Sequence, residues 1–209
     1  MQQVRVFFKK KGNMKYISHL DLVRAVTRSL MRTGLPIHYT EGFNPHPKLV
    51  FAVPLSIYQE SEYEMFDIGL DEDHPYKEIT KRMKAAFPKG IEIIDTAEPV
   101  IKFKELSKAL YKISFITDLS VEEITGLLSG KIVVLKKTKS KEEEKDISSD
   151  FELQHVYPDK GRIAVEALLS AGSENYLNPQ YIVDFLSGHI REEKILRLCL
   201  YDKTGKALR

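Results

Sequence analysis

The chain has little of several things that define common protein classes. It holds one cysteine, Cys199, in 209 residues. That excludes an internal disulfide framework and a multi-cysteine metal site, and a reducing cytoplasm is the compartment expected. No apolar run approaches the roughly 18 residues of a membrane helix, so no membrane association is expected. The opening MQQVRVFFKKKG has no long apolar stretch of the secretory kind. No phosphate-binding GxxxxGK[ST] loop, GxGxxG, nucleophile elbow or HExxH is present. These absences remove the nucleotide-hydrolysing, dinucleotide-binding, serine-hydrolase and zinc-protease classes that announce themselves by motif.

Net charge is also low, at +2, but it is unevenly spread. Residues 1–48 carry nine Lys or Arg against two acids, Asp21 and Glu41, which leaves the remainder negative. A basic quarter on a near-neutral protein points to a local anionic partner, of which RNA is the commonest kind. Lysines that merely solubilise an edge strand are the competing explanation.

Apolar content of 43% over this length supports real cores in one large domain or two small ones. Residues 4–8 read as a strand. Ser18 then opens a helix, with Asp21 at the capping-box position and Leu22, Val23, Val26 and Leu30 on one face. Gly34 and Pro36 stop it. Short strands are expected at 37–40, 49–55 and 63–70, a helix at 76–87, and a strand at 91–95. Residues 99–109 read as a linker. The second half repeats the order: strand 110–117, helix 121–128, strand 131–137, hairpin 151–157 with 162–169, helix 178–186 with Pro179 in its first turn, and strand 195–201. The charged run 136–146 reads as a solvated loop. The expected fold is α+β: two tandem ferredoxin-like (βαββαβ) domains, antiparallel sheets with helices on one face. The domains are expected at 1–98 and 110–209.

Polar and rigid residues concentrate at 16–55, which hold three of the six histidines. Gly42 permits tight geometry, and Pro45 and Pro47 fix the backbone on either side of His46. Phe43 is expected in the core, with base stacking as its other role. In the expected topology the first connection, 11–19, and the loop 41–48 meet at one end of the sheet, beside a helix start that favours phosphate. Arg24, Arg28 and Arg32 recur every fourth residue and share a helical face. They suit phosphate oxygens, as do Lys9, Lys10 and Lys11, unless they simply coat a solvated face. Ser18, His19, Asp21, Glu41, Asn44, His46 and Lys48 complete the candidate site. His19 and His46 are candidates for acid–base catalysis of RNA cleavage, or for holding a metal with Glu41 or Asp21. The same polar residues also fit a purely structural network.

The string SHLDLVRAVTRSLMRTGLPIHYTEGFNPHP closely resembles the signature of a bacterial radical-SAM-linked family. SEYEMFDIGL and FPKGIEII extend the resemblance. That family is an uncharacterised domain found alone or fused behind radical SAM proteins, with gene neighbourhoods that point to RNA or the ribosome. The resemblance implies a radical SAM protein as partner. S-adenosylmethionine and the iron–sulfur cluster would sit on that partner, because a cluster needs several thiolates and this chain has one cysteine. No cofactor or metal is expected here. The expected function is a non-catalytic, RNA-binding accessory to a radical SAM modification system. The alternatives are a metal-independent endoribonuclease, similar to CRISPR repeat-processing enzymes, using His19 and His46, or a protein–protein adaptor.

Overall fold

A computed structural model describes residues 1–137 and 142–208. The chain divides into two compact units, Met1–Phe103 and Lys104–Arg209. Both are mixed α+β, built on antiparallel strands with four α-helices among the described residues.

In the first unit, β1 (Gln2–Lys10) lies between β3 (Gln59–Leu70) and β4 (Ile91–Ala97), and β2 (Leu49–Phe51) joins the outer side of β3. The neighbour order is β4-β1-β3-β2, all antiparallel. Alternation places Val4, Val6 and Phe8 of β1 with Phe66, Ile68 and Leu70 of β3 on one face. Helices α1 (His19–Arg32) and α2 (Tyr76–Ala86) cover that face with Leu22, Val26, Leu30, Ile79 and Met83. Val23, expected among them, is only half-buried. Ser18 caps α1 by accepting from the Asp21 N–H at 3.1 Å. The Asp21 carboxylate does not close a capping box; it accepts instead from the Ser18 hydroxyl at 2.7 Å. Its side chain is one methylene shorter than the Glu that normally reaches back.

Two expected strands are corrected. Residues 37–40 make only isolated bridges, Ile37 to Leu70 and Tyr39 to Pro47. Pro47 has no N–H to donate, so a ladder cannot propagate past it. The strand expected at 49–55 stops at Phe51, after which the chain leaves β3 ahead of Pro54.

In the second unit, β5 (Leu106–Thr117) is flanked by β10 (Ile190–Asp202) and β9 (Arg162–Ser170), with β8 (Phe151–Asp159) outside β9. The order is β10-β5-β9-β8. Helices α3 (Val121–Ser129) and α4 (Gln180–Leu186) complete it. Leu106–Ala109, expected in a linker, belong to β5. Pro179 sits at the N-cap of α4, one position before the helix. The charged run is not simply a loop: β6 (Val133–Lys137) and β7 (Glu142–Asp146) pair as a separate hairpin. Lys136 faces Glu143 across it, and opposite charges in register stabilise such a pair. Residues 138–141 of that run lie outside the described residues. With this hairpin set aside, the second unit repeats the element order and neighbour order of the first.

Candidate functional site

The two polar segments of the first unit do not meet. β3 separates them. Lys10 pairs with Ser61, the Gly12 N–H donates to Glu60 Oε1 at 2.6 Å, and the Tyr58 N–H donates to Lys15 O at 2.7 Å. Residues 11–19 therefore sit at the Gln59 end. The His38 N–H donates to Gly69 O at 2.9 Å, and the Lys48 N–H to His38 O at 3.0 Å. The loop 41–48 therefore sits at the Leu70 end, about 25–30 Å away along the strand. The cause is that residues 37–40 form no strand. The true second strand follows the loop, so the loop belongs to the helix-to-strand connection and lies at the far end. Residues 52–58 take the expected place beside the helix start, where the Phe51 ring lies 5.2 Å from that of His19.

At the near end the basic residues are mostly engaged. Lys10 is 1% exposed, so it is no phosphate contact. It lies on the helix-facing side of β1, and buried Glu64 lies on the same side of β3. Lys9 and Lys11 both pair with Glu62, at 2.8 and 2.5 Å. Arg24 pairs with Asp21 at 2.9 Å. Hydrogen bonds from Ser18 and Arg24 hold the Asp21 carboxyl below its ordinary range. Arg32 donates to Ser29 Oγ at 3.0 Å and to Ala86 O at 2.9 Å, which ties α1 to the end of α2. Arg28 is exposed and, among the described residues, forms no ion pair. Of the arginine stripe it is the one with no ion pair or side-chain hydrogen bond among the described residues, while Arg24 keeps 70% of its side chain exposed beside Asp21.

His19 is half-buried, and its Nδ1 is buried without a partner among the described residues. Burial, and then the nearby Lys10 charge, push its pKa below the ordinary 6.5. Below pH 6.5 the unfolded chain takes up this proton before the folded chain does. The stability contributed by neutral His19 is thus complete above that pH and is lost as pH falls through the lower folded value. Urea midpoints measured at about pH 7.5 and about pH 5.5 should show a smaller acid loss in His19→Gln than in wild type. An identical loss would mean that His19 titrates normally.

The far end is built differently. Glu41, Phe43, Asn44, His46 and Lys48 are all exposed, while Pro47 is buried and anchors the loop. Thr40 closes it. Its N–H donates to His46 O at 2.9 Å, and its Oγ1 accepts the His46 N–H at 3.2 Å. His46 Nδ1 lies 3.1 Å from Thr40 Oγ1 and 3.2 Å from Asn44 O. A proton on Nδ1 satisfies both oxygens and leaves the Nε2 lone pair as the acceptor of the ring. Phe43, expected in the core, is fully exposed at 106%. A loop crossed by this many internal bonds holds its shape without burying its tip. Beside it, His38 Nδ1 lies 2.6 Å from Asp71 Oδ1.

Sequence reasoning missed Thr40, His38 and Asp71 as parts of this end. Thr40 lies one residue before the motif and had a detectable role as a hydroxyl near two prolines. Asp71 is 33 residues from His38 and gave no local signal. No three His, Cys, Asp or Glu among the described residues are grouped to hold a metal ion. His19 and His46, at opposite ends of β3, do not reach one scissile bond or one ion.

The chain matches, over residues 3–179, a family described as an uncharacterised protein conserved in bacteria (DUF2344), and it belongs to that family. No curated protein matches it. No helix among the described residues is long and apolar enough to cross a membrane.

Proposed function

We propose that this member of the family is a non-catalytic accessory of a radical SAM modification system, and that it binds RNA through the loop 41–48. We also infer that each unit is a ferredoxin-like domain, on the repeated element order and the 4-1-3-2 neighbour order. The observation that carries the RNA reading is Phe43: a fully exposed aromatic ring on a loop fixed by Thr40, His46 and two prolines. Exposed aromatics on a rigid frame stack unpaired bases, and polar neighbours read base edges. Asn44 and the free Nε2 of His46 are placed to do that reading, and Lys48 to meet phosphate. Ser18, His19, Asp21, Arg24, Lys9, Lys10 and Lys11 leave the contact surface in this reading and serve the framework of the near end.

S-adenosylmethionine and the iron–sulfur cluster belong to the partner, in the cytoplasm. The experiment is binding of single-stranded RNA to the full chain at several salt concentrations. With few free cations at the loop, log affinity should fall with log salt at a slope of about −1 to −3. Absence of binding, or affinity indifferent to salt, overturns the reading. Recovery of a radical SAM protein in a pull-down after nuclease treatment, with no RNA binding, favours an adaptor instead.

A further inference from the structure

The second unit holds a cleft of about 420 Å³, within the range of small-molecule sites. Three chain segments build it: Lys104–Ser107 entering β5, the turn after β9 from Ser170 to Asn175, and Lys203 after β10. Backbone bonds lock them together, from Ala171 N–H to Ser107 O at 2.7 Å and from Lys203 N–H to Glu105 O at 3.1 Å. Behind the wall lies Asp150, 9% exposed. It accepts from Ser170 Oγ at 3.1 Å and from the Asn175 side-chain amide, and Lys145 lies 3.6 Å from its other oxygen. Ser170 and Asn175 are thereby fixed.

The lining charges are left over. Lys104, Lys203, Glu105 and Glu174 form no ion pair among the described residues, although two cations and two anions line one cleft. The Ser107 and Ser173 hydroxyls likewise make no hydrogen bond among the described residues. The preformed wall holds these groups where a ligand can use them. Ammonium groups and hydroxyls suit phosphate oxygens. A carboxylate accepts from sugar hydroxyls, as acidic residues do for ribose in dinucleotide sites. The single aliphatic side chain in the lining, Leu106, is 2% exposed, so no apolar face is offered to a base.

We propose that this cleft binds a sugar phosphate, with Lys104 and Lys203 on the phosphate and Glu105 and Glu174 on the hydroxyls. The test is calorimetric titration of the full chain with ribose 5-phosphate, ribose and inorganic phosphate. Ribose 5-phosphate should bind saturably and at least about tenfold more tightly than either fragment. The double variant Lys104→Ala/Lys203→Ala should lose at least about tenfold in affinity. Glu174→Gln should weaken ribose 5-phosphate while leaving inorganic phosphate unchanged. The substituted residues Lys104, Glu174 and Lys203 are all exposed, so folding survives their loss. Competition by 5′-phosphorylated RNA would place the sugar phosphate at a nucleic-acid end, and failure to compete would make it a free metabolite; both support the site. No saturable binding, equal affinity for phosphate alone, or unchanged affinity in the double variant overturns it. Phe43→Ala should leave ribose 5-phosphate binding intact, so this site and the RNA loop stand or fall separately.

Discussion

Phe43→Ala is expected to weaken single-stranded RNA binding by about 1–3 kcal/mol, a loss of roughly five-fold to 150-fold. The magnitude is that of one base–aromatic stack. The melting temperature should not move, because a ring at 106% exposure has no burial to lose. That combination separates a contact residue from a structural one. Phe43→Tyr keeps a π-face and should retain most of the affinity. Thr40→Val is the complementary variant. It removes the hydroxyl that bonds to the His46 backbone and ring while leaving Phe43 in place. Affinity should fall in Thr40→Val as well, since a loosened loop must be ordered on binding. Fluorescence anisotropy with a labelled oligonucleotide reads all three. Equal affinity in wild type and Phe43→Ala removes the stacking role.

Gly90→Ala is expected to destabilise the first unit by about 2–4 kcal/mol. Gly90 has φ +88°, where an L side chain is strained. An added Cβ would lie 2.6 Å from the Lys11 carbonyl oxygen and 2.7 Å from Met14 Cγ. The methionine side chain is able to move, but the carbonyl belongs to the first connection. Its own N–H donates to Gly90 O at 2.8 Å, so backbone is packed on backbone with no slack. Gly126 supplies the contrast. It lies inside α3 with nothing within 4 Å of its added Cβ. Gly126→Ala should raise stability by up to about 1 kcal/mol through helix propensity. Thermal or urea denaturation of the two variants should move in opposite directions. A neutral Gly90→Ala would mean that the first connection rearranges freely.

Local features of the sequence were legible because local physics decides them. Ser18 caps a helix whose apolar residues recur at Leu22, Val26 and Leu30, and all three are buried. The helices at 76–86 and 121–129 and the hairpin of β8 and β9 follow from period and turn residues in the same way. Structure departs from local pattern where partners distant in sequence choose. Residues 37–40 have strand-like composition, yet their neighbour on one side is Pro47, and a ladder needs donors from both strands. The charged run gained a second strand because Lys136 and Glu143 meet in register, which no local signal of solvation reveals.

The same division runs through the candidate site. Composition and spacing by themselves determined that 41–48 is a constrained, polar-rich loop. They also determined that this chain lacks the thiolates for a cluster. Which residues share a place was decided only by tertiary structure. Moving the second strand to the far side of the loop carried 41–48 to the opposite end of β3, away from His19 and the helix start. Burial removed Lys10 from the surface, Glu62 paired with both Lys9 and Lys11, Asp21 paired with Arg24, and Phe43 stayed in solvent. The reason is that side-chain chemistry is written residue by residue. Exposure and neighbourhood depend on which strand pairs with which, and one shifted strand exchanges the two ends of a sheet.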